Sequence, residues 1–173
     1  LLHLAEIAKE NGTRVLTIYS GEEVGTYLKC IAPLTTRKNE RTRGRMEEVP
    51  RLEAGNEASV VLELKDGAFQ MLLTGDLEGR GEEQLVESGT LESWPILKAG
   101  HHGSKNSGSE DFLQIVKPRL TLISAGIENR YGHPHAETLE RLREIGSEVL
   151  STQECGAITL KSDGQKIKVH KYL

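Results

Sequence analysis

Short apolar runs alternate along this chain with glycine-marked breaks, and the spacing within each run assigns its element. Leu2, Leu4, Ala5 and Ile7 fall near one helical face and Asn11-Gly12 stops the pattern, which predicts a helix over 2–10. Val15–Tyr19 and Tyr27–Ala32 read as strands, the second ended by Pro33. Ser59–Leu64 and Phe69–Thr74 flank Asp66-Gly67, the signature of a hairpin. Glu82–Glu87 predicts a short helix, while Pro95–Ala99 and Leu120–Ala125 are compact apolar runs of the kind found in buried strands. Over about Ala136–Ile145, Leu139, Leu142 and Ile145 share a helical face that Gly146 terminates. The tail predicts a last hairpin, Ala157–Lys161 and Ile167–His170 about Asp163-Gly164. Helices and strands interleave, so the fold class is α/β or α+β, with no hinge between two domains.

One stretch escapes this pattern. Residues 35–57 have almost no apolar periodicity and set Arg37, Lys38, Arg41, Arg43, Arg45 and Arg51 against five glutamates, which predicts a long, charged, mobile loop. The whole chain, 173 residues, is one domain's worth of sequence and long enough to bury a core. A net charge of −4 argues against a chain-wide electrostatic footprint for nucleic acid, though not against a local basic patch. No apolar run approaches the length of a membrane span, and the first residues lack the basic-then-apolar order of a signal peptide. The chain opens inside a helical pattern without an initiator Met, so it reads as part of a longer protein. Cys30 and Cys155 stand in no ligand spacing and read as isolated buried thiols, with a single disulfide as the alternative.

Three places repeat one layout, an apolar strand followed by a Gly-containing loop with metal-type side chains. They are Met71-Leu72-Leu73-Thr74-Gly75-Asp76, then Ile96 to Ser104 with His101-His102, then Leu120 to His135 with His133 and His135. Loops that leave related strands emerge at one edge, where imidazoles and a carboxylate converge into a zinc- or manganese-class site. Plainer readings compete: Asp76 as the first residue of a turn, Glu78 facing water, and His133-Pro134 opening the following helix. His3 and His170 lack such surroundings and read as surface or core-edge residues.

Leu72-Leu73-Thr74-Gly75-Asp76, Lys98-Ala99-Gly100-His101-His102-Gly103-Ser104 and Asn129-Arg130-Tyr131-Gly132-His133-Pro134-His135 together resemble the metallo-β-lactamase fold. The resemblance is to the branch that forms the C-terminal domain of ComEC-type DNA-internalisation (competence) proteins. Gly55–Leu62, Thr138–Leu142 and Thr152–Ile158 are similar as well, so the likeness covers roughly residues 13–170. It implies an αββα sandwich with a metal site at one edge. There Asp76 would bridge two ions, His102 would bind the first and His133 the second. His101 would stand beside them as a catalytic residue touching substrate, and His135 would open a helix. The family's chief ligand motif, His-x-His-x-Asp-His, does not occur in this sequence. The chain therefore resembles the C-terminal half of that domain, with three of the expected ligands and an apolar sheet face left to be covered.

The resemblance implies a metal-dependent hydrolase of phosphodiesters, using one or two Zn or Mn ions, that acts on DNA during competence uptake. Ser104 and Lys105 are the candidate phosphate contacts. The implied setting is a domain of a membrane-anchored bacterial protein, its membrane channel region upstream in the same polypeptide. Two alternatives stay open: a stand-alone hydrolase of a small ester or phosphodiester, and a degenerate domain that binds DNA or a partner without catalysis.

Overall fold

The computed structural model describes residues 2–34, 52 and 55–173. Seven strands form one mixed sheet whose spatial order follows the chain: β1 (Glu23–Val24), β2 (Leu28–Ala32), β3 (Val61–Asp66), β4 (Phe69–Leu73), β5 (Ile96–Lys98), β6 (Leu120–Ile123) and β7 (Glu148–Ser151). The pairings β1–β2, β2–β3 and β3–β4 are antiparallel, and the predicted hairpin closes with Asp66 opposite Phe69. From β4 onward the pairings are parallel, with Leu73 beside Lys98 and Lys98 beside Leu122. Parallel neighbours need a crossover, and each has a helix: α2 (Arg80–Ser88) after β4, α3 (Glu110–Val116) after β5 and α4 (Ala136–Glu144) after β6. The fold class is thus the mixed α/β arrangement that the alternation of elements predicts.

The main core lies between the sheet and these three helices. Leu72 and Leu97 from the strands meet Leu85, Phe112, Leu113, Val116 and Leu142 from the helices, all nearly inaccessible to water. On the opposite face Phe69, Met71 and Ile96 form a second cluster with half-buried Leu64, Leu73, Leu120 and Leu122. That cluster is joined by Leu160 of a separate hairpin, β8 (Ile158–Ser162) paired with β9 (Ile167–Lys171). Among the described residues no helix is long and apolar enough to cross a membrane.

The structure departs from the sequence expectation in three places. Residues 13–19 form no strand, because Val15 and Leu16, at 59% and 68% exposure, have no face of the protein to cover. The helix at 2–10 forms as α1 (Leu2–Glu10), yet Leu4 and Ile7 remain exposed. Both α3 and β7 go unpredicted: α3 is only seven residues long, and β7 is paired with β6 from another part of the chain. The charged stretch 35–57 lies outside the described residues except for Leu52 and for Gly55 with the start of the Asn56–Ala58 turn. Cys30 and Cys155 are both buried free thiols, not a disulfide, and burial followed by the Glu22 charge pushes the Cys30 thiol up to about 11.

Gly81, inside α2, is buried, and a Cβ there would lie 2.2 Å from the Glu57 carbonyl oxygen and 2.6 Å from Leu77 Cδ1. Alanine is the better helix former by about 1 kcal/mol. Overpacking outweighs that gain, so Gly81→Ala is expected to lower stability by about 1–3 kcal/mol, as read from the urea midpoint.

Candidate functional site

Because β4, β5 and β6 run parallel, the loops at their C-terminal ends leave the sheet along one edge, the position where open α/β sheets bind ligands. After β4, Leu77 turns into the core and its N–H donates to the Thr74 carbonyl, which leaves Asp76 half-exposed and turns Glu78 toward the next loop. After β5, residues Gly100–Gly103 make a tight turn in which His101 (φ 42°) and His102 (φ 57°) both adopt the left-handed conformation. Two consecutive side-chain-bearing residues there store strain of about 1–3 kcal/mol each, which the surrounding contacts must sustain. The flanking glycines permit it, since a Cβ on Gly103 (φ 80°) would lie 2.7 Å from Pro134 Cβ.

Lys98 ties the first two loops together: its Nζ donates to the carbonyls of Gly75 at 3.0 Å and Ala99 at 2.9 Å. Burial pushes its ammonium below the ordinary lysine range, opposed by the negative charge of Asp76. The third loop, after β6, is held from inside and from behind. Asn129 Nδ2 donates to the carbonyls of Gly126 and His133, and its Oδ1 accepts from the His133 N–H. Gln153, in the short helix α5 (Thr152–Cys155), donates to the same two carbonyls, while Thr152 Oγ1 both donates to and accepts from the backbone of Ala125.

These constraints gather four histidines and two carboxylates. Ring centroids lie 6.2 Å apart for His101–His102, 5.2 Å for His101–His133 and 4.8 Å for His133–His135. His102 Nδ1 lies 2.6 Å from the Ser124 carbonyl, which can only accept, so that nitrogen carries a proton and, in the neutral tautomer this selects, Nε2 holds the lone pair. Nε2 faces Asp76 Oδ1 at 3.6 Å. A histidine that donates one N–H to a carbonyl and offers the other nitrogen beside a carboxylate has the outer-shell pattern of a metal ligand. His101 differs: its Nδ1 pairs with Glu78 Oε2 at 2.8 Å. Glu78 also accepts from Asn56 Nδ2 at 2.9 Å and Ser104 Oγ at 3.2 Å. Against the upward push of burial, these donors hold the Glu78 carboxyl below the usual glutamate range. Burial, then the neighbouring histidines led by His135, holds His133 below the ordinary imidazole range and so in the neutral form.

Asp76, His101, His102 and His133 therefore stand together, while Ser104 is buried with its hydroxyl on Glu78 and Lys105 is exposed on the loop rim. His135 occupies the N-cap position of α4, and its Nδ1 accepts from the Lys105 N–H. Glu78 does not face water, as the sequence suggests, but is half-buried as the anchor of His101; the missed signal is its place two residues beyond Asp76 in the same strand-end loop. The donors suit a divalent ion by type, N and O in a half-exposed setting. As arranged, though, no three His, Cys, Asp or Glu side chains among the described residues close around one point. His102 and Asp76 form an open pair, with His133 further off at 6.4 Å between ring centroids.

Beside His102 and His133 opens a cleft of about 570 Å³, walled by Ser124–Gly126, Asn129, Tyr131, Thr152 and Gly156-Ala157.

No family model matches the chain. It is similar to ComE operon protein 3 of Bacillus subtilis (strain 168), 40% identical over 111 residues, 64% of this chain and 14% of that protein. Competence protein ComA of Neisseria gonorrhoeae is 39% identical over 124 residues, 68% of this chain and 18% of that protein. Recombination protein 2 of Haemophilus influenzae is 35% identical over 118 residues, 68% and 15% of the two. The chain spans less than a fifth of the length of each of these three proteins.

Proposed function

We propose that this chain is part of the hydrolytic domain of a ComEC-type competence protein, a metallo-β-lactamase-like sandwich that cuts phosphodiester bonds of DNA during uptake. The observation that carries the reading is the convergence of Asp76, His102 and His133, from three successive strand-end loops, on one edge of the sheet beside an open cleft. The similarity to competence proteins supports the setting. In it, the domain belongs to a longer polypeptide whose upstream part forms the membrane channel.

Asp76 Oδ1, His102 Nε2 and His133 are the groups that would hold a divalent ion, Zn or Mn, with further ligands supplied from outside the described residues. When bound, the ion supplies Lewis acidity toward the phosphoryl oxygens. The chain's own residues do the rest. Ser124 fixes the tautomer of His102, and Lys98 fixes the spacing of the Asp76 and His101 loops. Glu78 fixes the ring of His101 through Nδ1, which leaves Nε2 as the atom that would exchange a proton with the leaving oxygen. Lys105, on the rim, meets an adjoining phosphate, and Ser104 acts through Glu78 instead of touching substrate.

Isothermal titration with Mn²⁺ tests the ligand assignment in this chain. An open pair of donors gives weak binding of a single ion, and His102→Ala is expected to weaken it at least tenfold, whereas the exposed control His3→Ala leaves it unchanged. Equal heats from wild type and His102→Ala would remove His102 from the ligand set.

A further inference from the structure

The cleft beside His102 and His133 extends beyond the groups used above and adjoins the place where that chemistry would occur. Its outer wall is Tyr131, 60% exposed, with its ring nearly parallel to that of His133 (24° between planes, centroids 5.8 Å apart). Apart from that contact the ring is largely open to solvent. It keeps its place because the loop is clamped beneath it: Asn129 and Gln153 hold the carbonyls of Gly126 and His133, and the residues between have little freedom. The Arg130 guanidinium stands 4.7 Å from the Tyr131 ring centroid and hydrogen-bonds the phenol oxygen, so a fixed positive charge accompanies the aromatic face. Ile127, 71% exposed, lies in the same loop.

We infer that this cleft is a nucleotide subsite in which one unpaired base of single-stranded DNA stacks on Tyr131 while Arg130 meets the adjoining phosphate. The inference rests on the phosphodiesterase reading and deepens it by naming the form of the substrate. Aromatic platforms with an accompanying arginine are how proteins hold single strands without reading their sequence. The lining matches that use. Asn129 and Thr152 commit their side-chain polar groups to the loop backbone, so neither is free to read the edge of a base. A base inside a duplex is stacked on its neighbours and paired, so it offers a face to the Tyr131 ring only once it is unpaired.

Fluorescence anisotropy with a labelled twelve-nucleotide oligo(dT), in chelator so that cleavage plays no part, reads the subsite directly. Tyr131→Ala is expected to weaken binding about tenfold and Tyr131→Phe to leave it unchanged, since one base–aromatic stack is worth that much. On an abasic strand with the same number of phosphates, wild type and Tyr131→Ala bind alike. Equal binding of oligo(dT) by wild type and Tyr131→Ala overturns the inference. So does an equal loss on the abasic strand, which would make Tyr131 a support for the loop, or an equal loss on duplex DNA, which would make unpaired bases irrelevant. Because no step is catalytic, the subsite can fail while metal-dependent cleavage stands, and cleavage can fail while the stacking is observed.

Discussion

Asp76→Ala is expected to reduce DNA nicking by the intact polypeptide roughly a thousandfold or more, the order of effect that follows from losing several kcal/mol of charge stabilisation at the reacting phosphate. The carboxylate is half-exposed, yet its surroundings direct it: Leu77 is anchored in the core behind it, and His102 Nε2 faces it at 3.6 Å. Lys98 supplies positive charge nearby. Nothing in the hydrophobic core depends on Asp76, so the urea midpoint of the variant is expected to stay within about 0.5 kcal/mol of wild type. Activity lost with the fold intact separates a ligand from the first residue of an ordinary turn, the reading the sequence alone leaves open.

The second large effect falls on stability. Glu82, in α2, is 2% exposed and accepts from the N–H groups of Gly108 and Ser109 at 2.6 and 2.9 Å, with the Arg141 guanidinium nearby. Arg141 in turn donates to the carbonyls of Lys105, Ser107 and Gly108. The two side chains thus hold both ends of the loop that follows the histidine pair. Glu82→Ala leaves two part-buried donors without an acceptor and is expected to cost about 2–4 kcal/mol. Burial pushes this carboxyl above the ordinary glutamate range, against the pull of the two N–H donors and of Arg141. A raised folded-state value means the folded chain takes up the proton first, so wild type gains stability as pH falls through that value toward the ordinary 4.5. Glu82→Gln lacks that gain. Urea melts of the two at pH 7 and pH 5 are expected to show the stability of wild type relative to Glu82→Gln rising at the lower pH.

The elements that the sequence makes legible are those whose signal is local. The hairpin at Asp66-Gly67, the apolar runs of β5 and β6 and the helix before Gly146 each carry their own punctuation. Val15–Tyr19 carries a strand-like composition and forms no strand, because propensity without a neighbouring edge to pair with has no effect. β7 shows the converse, a weak run made into a strand by its place beside β6. For the site, Asp76, His101, His102 and His133 stand out by residue type and strand-end position. What orients them does not. Glu78, Gln153, Thr152 and the Ser124 carbonyl act across 20 or more residues of chain, and only the assembled sheet edge brings them into reach. The preference for His102 over His101 as ligand, which the resemblance supplies and the sequence does not, has a physical counterpart in that Ser124 carbonyl.

The most direct test of a metal-dependent cleavage site is nicking of supercoiled plasmid by the intact polypeptide and its Asp76→Ala variant, each stripped with chelator and then resupplied with Mn²⁺ or Zn²⁺. Stripped wild type is expected to be inert and to regain activity with metal, and Asp76→Ala to stay inert throughout. Nicking that survives chelation, or that returns undiminished in Asp76→Ala, would rule out metal-dependent cleavage through Asp76.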